Sequence, residues 1–270
     1  MTITKNRAFL KWAGGKYGLI EDINRVLPSS DRLIEPFVGA GSVFLNSDFE
    51  EYLLNDVNAD LINLYKILQT NADDYIKAAS ELFTPNYNDK DCYYDIRTKF
   101  NASSDIFERA IYFLYMNRHG YNGLCRYNLK GGYNVPFGRY KKPYFPEKEL
   151  WFFAEKAQKA TFTNVCFRET FKQAKSGDVI YCDPPYAPLS PTASFTSYSG
   201  QGFKLKDQEE LASLAEYSSN AGIPVVISNH DLDLTRRLYQ QANLKEIKVK
   251  RTISQKAGKR TKVGELLALY

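Results

Sequence analysis

Val179-Ile180-Tyr181-Cys182-Asp183-Pro184-Pro185-Tyr186 is the stretch on which the fold turns. Four apolar residues between Gly177-Asp178 and Asp183 read as a short buried strand. Two prolines then remove two backbone donors and fix φ twice, so the strand must end in a rigid turn. Ligands of open α/β sheets bind beyond the carboxyl ends of the strands, where this turn falls. The carboxylate before the prolines and the aromatic after them suit a clamp for a planar base with an exocyclic amino group. Asp183 and the Pro184 carbonyl would accept its two N–H bonds, and Tyr186 would stack on the ring. An ordinary proline-rich turn is the plainer alternative, but it explains neither the acid nor the aromatic.

Outward from that strand, residues 223–228, Arg32–Glu35 and 52–54 read as further strands. Residues 42–46 are expected to open a helix, and helical spacing recurs over 60–69, 107–117, 150–160 and 207–221. Residues 245–270 read as a β-rich end, a hairpin. Strands alternating with helices argue for an α/β parallel sheet covered by helices. Leu33 and Leu54 lie one βαβ unit apart, whereas the next strand of strong core character, near Val179, comes more than a hundred residues later. That gap exceeds one crossover, so something is inserted, and residues 60–145 are the natural candidate.

Composition agrees with this layout. The chain has 270 residues, 44% apolar and 25% charged, which fits one large domain or one domain with an insertion. The net charge is only +5, yet residues 109–146 hold seven Lys/Arg, no acid and ten aromatics. Residues 245–262 hold eight Lys/Arg against one acid. The 214 other residues therefore carry 5 − 14 = −9, so two basic segments sit on an acidic body. The aromatic content of 14% is expected to gather at the insert and the base-binding turn rather than in a core. No apolar run approaches the roughly 18–20 residues of a membrane span, and no secretory h-region follows the start. Cys92, Cys125, Cys166 and Cys182 form no C-x-x-C pair, which argues against zinc and suits a reducing cytosol.

Glu35-Pro36-Phe37-Val38-Gly39-Ala40-Gly41-Ser42 follows a strand, and its glycines permit close backbone approach to a ligand. A dinucleotide fingerprint would need glycine at 44, which is Phe44, so a nicotinamide site is disfavoured. The next strand ends at Asp56, an acid placed to meet the two hydroxyls of a ribose, or else a solvated turn residue.

These motifs together carry a resemblance. Phe37-Val-Gly-Ala-Gly41 and Asp183-Pro-Pro-Tyr186, in that order and widely separated, resemble the amino-methyltransferases that use S-adenosylmethionine. Lys11-Trp-Ala-Gly-Gly-Lys16 and Asn117-Arg-His-Gly-Tyr-Asn-Gly-Leu-Cys-Arg-Tyr-Asn128 narrow the resemblance to Dam-type DNA adenine-N6 methyltransferases, which act on GATC. It covers essentially the whole chain from Lys11, and the combination of four motifs is far more specific than any one. It implies a Rossmann-like seven-stranded methyltransferase sheet over 1–58 and 146–270. It also implies an inserted, mainly helical target-recognition domain over 59–145, with a β-hairpin at about 120–141.

The resemblance also implies roles. Trp12, Lys16, Gly39, Gly41, Asp56 and Asp183 would bind S-adenosylmethionine, leaving S-adenosylhomocysteine as product, with no metal. Asp183, Pro184 and Tyr186 would hold the adenine for direct in-line transfer after base flipping. Arg126 would read a guanine, Leu124 and Pro136 would touch thymine methyls, and Lys11 would reach the outer guanine. Tyr121 would insert into the duplex with Asn122 beside it. Arg97, Arg118, Asn128, Asn134 and Arg139 would hold phosphates, and Tyr140 and Lys141 would complete the DNA surface. A ribbon turning at Lys130-Gly131-Gly132 fits a major groove. His119 is read as surface or structural, and His230 as structural or as a border of the pocket. The partner would be double-stranded DNA containing GATC, met by a monomer in the cytoplasm of a bacterial or phage-infected cell, on the nucleoid. Rival substrates for the same clamp are RNA adenine, cytosine N4 and a protein glutamine amide. A catalytically dead DNA-binding module is the rival of another class, and its clamp or cofactor loop should be broken.

Overall fold

The computed structural model describes residues 5–186, 202–247 and 264–270. After α1 (Ile20–Val26), the strands β1 (Arg32–Glu35) and β2 (Glu51–Asn55) form as expected. Four helices follow: α2 (Ala59–Thr70), α3 (Ala72–Ser80), α4 (Lys90–Ala102) and α5 (Ile106–His119). Then come α6 (Glu147–Lys156), β3 (Ala160–Thr163), α7 (Phe167–Phe171), β4 (Asp178–Cys182) and α8 (Leu205–Asn220). The chain ends with β5 (Val225–His230), α9 (Asp233–Leu238), β6 (Asn243–Ile247) and β7 (Glu265–Leu269). The strands make one seven-stranded sheet in the order β3-β2-β1-β4-β5-β7-β6. β1 to β5 pair in parallel, and β7 runs antiparallel between β5 and β6.

Both faces of the central strands are buried, as a helix-covered parallel sheet requires. Successive strand residues alternate between two apolar clusters, as the two-residue period dictates. Leu33, Leu54, Val179, Tyr181 and Val226 join one, which extends continuously through α2 to α6. Ile34, Leu53, Ile180, Cys182 and Ile227 join the other, against α7 and α8. The reversal of strand order between β1 and β4 brings the β1 loop and the Asp183 turn side by side at the carboxyl edge.

Several expectations change. Residues 42–46 open only a single 3-10 turn, Phe44–Asn46. Asn46 ends it by exchanging hydrogen bonds with the backbone of Asn6. The helix expected over 150–160 stops at Lys156, and Ala160 begins β3. Gln69 of α2 takes up the chain there, donating to the Ala157 and Ala160 carbonyls at 2.6 and 2.7 Å. The long gap before Val179 therefore contains an edge strand, and α2 is a crossover helix packed on the sheet. Its Tyr65 ring lies 4.5 Å from Phe153 and 5.6 Å from Phe162.

Much of the aromatic content of the described residues is core. Tyr52, Tyr65, Tyr75, Tyr93, Tyr115, Tyr133, Tyr181 and Tyr239 are among the largest fully buried side chains. Burial is tolerable because the hydroxyls find partners. Tyr75 donates to the Ala110 carbonyl at 3.0 Å, Tyr93 to Val135 at 2.9 Å and Tyr133 to Leu124 at 2.9 Å. The hairpin expected at 120–141 is a loose ribbon with two isolated antiparallel bridges, Gly120↔Phe137 and Tyr127↔Tyr133. At the C-terminal end β6 and β7 pair as a hairpin would, while residues 248–263 between them, with most of the second basic segment, lie outside the described residues. Among the described residues no helix is long and apolar enough to cross a membrane.

Candidate active site

The clamp forms where β4 ends. Asp183 Oδ1 is 2.8 Å from the Lys16 ammonium and accepts from Ser228 Oγ at 3.1 Å. Ser228 sits at the carboxyl half of β5 and also contacts the Tyr181 hydroxyl at 3.0 Å. Burial raises the Asp183 pKa, and the Lys16 charge acts against that rise. The Lys16 ammonium donates as well to the Gly14 carbonyl at 2.6 Å and lies 4.6 Å from the centre of the Tyr186 ring. His230 meets the same ring edge-on at 4.5 Å, and the Tyr186 hydroxyl donates to Glu265 Oε2 at 3.1 Å. Gln208 Nε2 donates to the Pro185 carbonyl at 2.8 Å and fixes the turn from α8. Pro184 is buried within it.

Beside the clamp lies the glycine loop. Asp56 Oδ2 accepts from the Gly39 N–H at 3.1 Å and Oδ1 from the Asn58 N–H at 2.9 Å. Burial pushes the Asp56 carboxyl up to about 6. A carboxylate offers about four lone-pair sites, so two bonds leave it capacity to accept from a pair of hydroxyls. Gly39 has φ +47°, and a Cβ there would lie 2.9 Å from Trp12 Nε1, so Trp12 closes directly over the loop. Gly41, at φ +72°, completes the turn. Glu35, beneath the loop, is 2% exposed, and burial pushes its carboxyl up to about 8.

The third group is the ribbon. Asn117 binds the N-terminal motif to it: its side chain accepts from the Lys11 N–H and donates to the Lys11 carbonyl, both at 2.8 Å. The Lys11 ammonium lies 3.8 Å from the Tyr140 ring centre, and the Tyr140 hydroxyl accepts from the Asn122 N–H at 3.0 Å. Tyr121 is 43% exposed, and Asn122 holds a left-handed φ of 53°. Leu124 is half-buried, Pro136 and Lys141 are exposed, and Arg139 is exposed with φ 54°. Arg126 is exposed, with its guanidinium on Asn134: Nε to Oδ1 at 2.7 Å and Nη2 to the carbonyl at 3.1 Å.

Four of the residues expected on phosphates make contacts within the protein. Arg118 is 9% exposed and donates to the Phe9 and Tyr144 carbonyls, so its guanidinium braces the interior. Asn128 accepts from the Lys130 and Gly132 N–H groups and shapes the ribbon turn. Asn134 aims Arg126. Arg97 donates to the Val135 carbonyl at 3.1 Å, half-buried against the Tyr94 ring. His119 is buried, stacks on Tyr115 at 4.0 Å, and burial depresses it to about 4, so it is structural. Sequence reasoning missed Ser228, Gln208 and Glu265. Ser228 and His230 carried a signal, since both lie at the end of the strand beside β4.

Among the described residues no group of three or more His, Cys, Asp or Glu is arranged to hold a metal. Residues 12–253 match the family described as D12 class N6 adenine-specific DNA methyltransferase. A DNA adenine methylase of Vibrio cholerae serotype O1 is 62% identical over 267 residues, covering 98% of this chain and 96% of that protein. The DNA adenine methylase of Escherichia coli K12 is 59% identical over 266 residues, with the same coverages. That of Serratia marcescens is 58% identical over 267 residues, covering 98% of this chain and 99% of its own. The match spans both the clamp and the ribbon, and the chain belongs to the D12 class of N6 adenine-specific DNA methyltransferases.

Proposed function

We propose that this enzyme uses S-adenosylmethionine to methylate N6 of adenine at GATC in double-stranded DNA. The observation that carries this reading is the Asp183–Lys16–Tyr186 cluster at the end of β4, beside the loop on which Trp12 and Asp56 converge. Asp56 would take the ribose hydroxyls, Trp12 would cover the adenosine, and Gly39 and Gly41 would let the backbone approach the methionine end. When bound there, S-adenosylmethionine supplies an electrophilic methyl group on a sulfonium.

The protein's part is positioning and electrostatics. The target adenine leaves the stack at a cost of a few kcal/mol. Stacking on Tyr186 offsets roughly 1–3 kcal/mol of it. Lys16 and Ser228 both use Asp183 Oδ1, so the amino group is assigned to Oδ2 and to the Pro184 carbonyl. Accepting both N6 hydrogens draws the nitrogen lone pair out of the ring and towards the methyl. Asp183 also opposes the positive charge that grows on N6. Cys182 is buried and its thiol is pushed well up, which suits a strand residue rather than a nucleophile.

Residues 59–145 act in this reading as the target-recognition segment on a catalytic body of 1–58 and 146–270, with α2, packed on the sheet, as the joint between the two. Arg126, held in plane by Asn134, reads a guanine, and Lys11 reaches the outer one. Leu124 and Pro136 meet thymine methyls, and exposed Tyr121 enters the duplex. Arg97, Arg139, Tyr140 and Lys141 lie along the backbone, while Arg118, Asn128 and Asn134 shape the surface that the others present. The working unit is a monomer acting in the cytoplasm.

The test is a plasmid lacking methylation, incubated with enzyme and S-adenosylmethionine and then cut with isoschizomers that differ in sensitivity to GATC methylation. Protection against the sensitive nuclease alone is expected, and Asp183→Ala should abolish it while DNA binding stays measurable. Unchanged cutting by wild type, or full protection by the variant, overturns the assignment.

A further inference from the structure

The turn that carries Asp56 also seats the ribbon. Asn58, two residues on, caps α2 through its Oδ1 to the Leu61 N–H at 3.2 Å. Its Nδ2 reaches out to Cys125 Sγ at 3.3 Å. Asp60, in the first turn of α2, holds Arg109 of α5 bidentately at 2.8 and 3.0 Å. Asp60 Oδ2 also accepts from the Tyr127 hydroxyl at 2.7 Å. Cys125 and Tyr127 thus bind the same turn from either side of Arg126. Alternation along an extended segment sends their side chains inward and sends Arg126 out.

We propose that Asp60 and Tyr127 are positioning residues for Arg126, fixing the backbone that presents its guanidinium to one base pair. The inference rests on the reading of Arg126 as a base reader. A bidentate contact to a guanine edge fails when its donors shift by a fraction of an ångström, so the flanking backbone needs an anchor outside the ribbon. Within the ribbon the Arg126 carbonyl accepts from the Asn134 N–H at 3.1 Å, beside two isolated bridges and an exposed turn, and the contacts to Asn58 and Asp60 tie this side of the ribbon to α2. The phenol–carboxylate bond is charge-assisted and half-buried, which makes it the stronger of the two anchors. Asp60 is in turn held by Arg109, whose guanidinium also donates to the Phe100 and Ser103 carbonyls, so the anchor reaches the end of α4.

Tyr127→Phe is the informative variant, because it removes the hydroxyl while keeping the ring and the Asp60–Arg109 pair. Methylation of GATC and of sites changed at each base pair is measured for wild type, Tyr127→Phe, Arg126→Ala and the double variant, with cofactor affinity and Tm alongside. Tyr127→Phe is expected to lose about tenfold of the discrimination at the base pair on which Arg126→Ala loses it. Cofactor affinity should be unchanged, and the double variant should lose no more than Arg126→Ala. Full discrimination in Tyr127→Phe beside a selective loss in Arg126→Ala overturns this inference and leaves the base-reading assignment standing. An equal loss on every sequence with a lowered Tm makes Tyr127 merely structural and also overturns it. No selective loss in Arg126→Ala removes the reading on which the inference rests.

Discussion

Lys16 joins the N-terminal motif to the clamp. The resemblance implied a cofactor contact, and its ammonium is bonded to Asp183, distant in sequence, over the Tyr186 ring. Asp183 and Asp56 were legible because each sits in a motif whose neighbours declare its chemistry. The Lys16–Asp183 pair was not, because periodicity carries no signal for two loops meeting across a sheet. The pair has a consequence for pH. Burial raises the Asp183 pKa and Lys16 lowers it, so Lys16→Met should raise it further. The acid limb of the single-turnover rate should move to higher pH, with activity recovering as pH rises. An unmoved limb would show that Lys16 does not hold Asp183 ionised. Asp56 has the same sign on the binding side. Burial pushes its carboxyl up to about 6, and the ionised form would be the better acceptor for a pair of hydroxyls. Affinity for S-adenosylmethionine should therefore be flat above that pH and fall up to about tenfold per unit below it. Titration calorimetry from pH 5 to pH 8 checks this, and Asp56→Asn should abolish the dependence.

At the scale of elements, the core strands were legible and the boundaries were not. β4 and β5 carry apolar runs that only a doubly covered sheet explains. β3 is four residues long at the sheet edge, with Thr161 exposed, and its composition cannot be separated from the helix before it. What stops α6 is Gln69, a residue of another element. The joint between the N-terminal motif and the ribbon was hidden for the same reason. Gly123 has φ +60°, and a Cβ there would fall 2.2 Å from the Lys11 Cβ. Gly123→Ala must displace Lys11 and strain the turn. Discrimination at the outer guanine is expected to fall by about 1–3 kcal/mol, while cofactor affinity holds. Uniform loss across all base pairs in a methylation panel would instead place Lys11 on the phosphates.

At the scale of the molecule, two averages are resolved by where the side chains lie. The aromatics were expected at the insert and the base-binding turn rather than in a core, and many large ones fill the core, several of them from the insert. Sequence could not separate these fates, because a tyrosine that satisfies its hydroxyl on a buried carbonyl reads the same as one facing a base. The seven cations of residues 109–146 divide likewise. Arg109 is spent on Asp60 and Arg118 on backbone carbonyls, whereas Arg126, Lys130, Arg139, Lys141 and Lys142 are exposed. Counterion release then gives a definite expectation. Each phosphate neutralised contributes about −0.9 to the slope of log K against log salt, so the four besides the base-reading Arg126 would give about −3.6. Lys141→Gln with Lys142→Gln should make that slope shallower by about 1.8 and weaken binding to all sequences alike. Preference for GATC over altered sites should be unchanged, since neither lysine is assigned a base edge. Fluorescence anisotropy between 50 and 200 mM salt measures the slope. If the double variant keeps the wild-type slope but loses preference for GATC, this face reads bases, and the phosphate contacts must be sought elsewhere on the molecule.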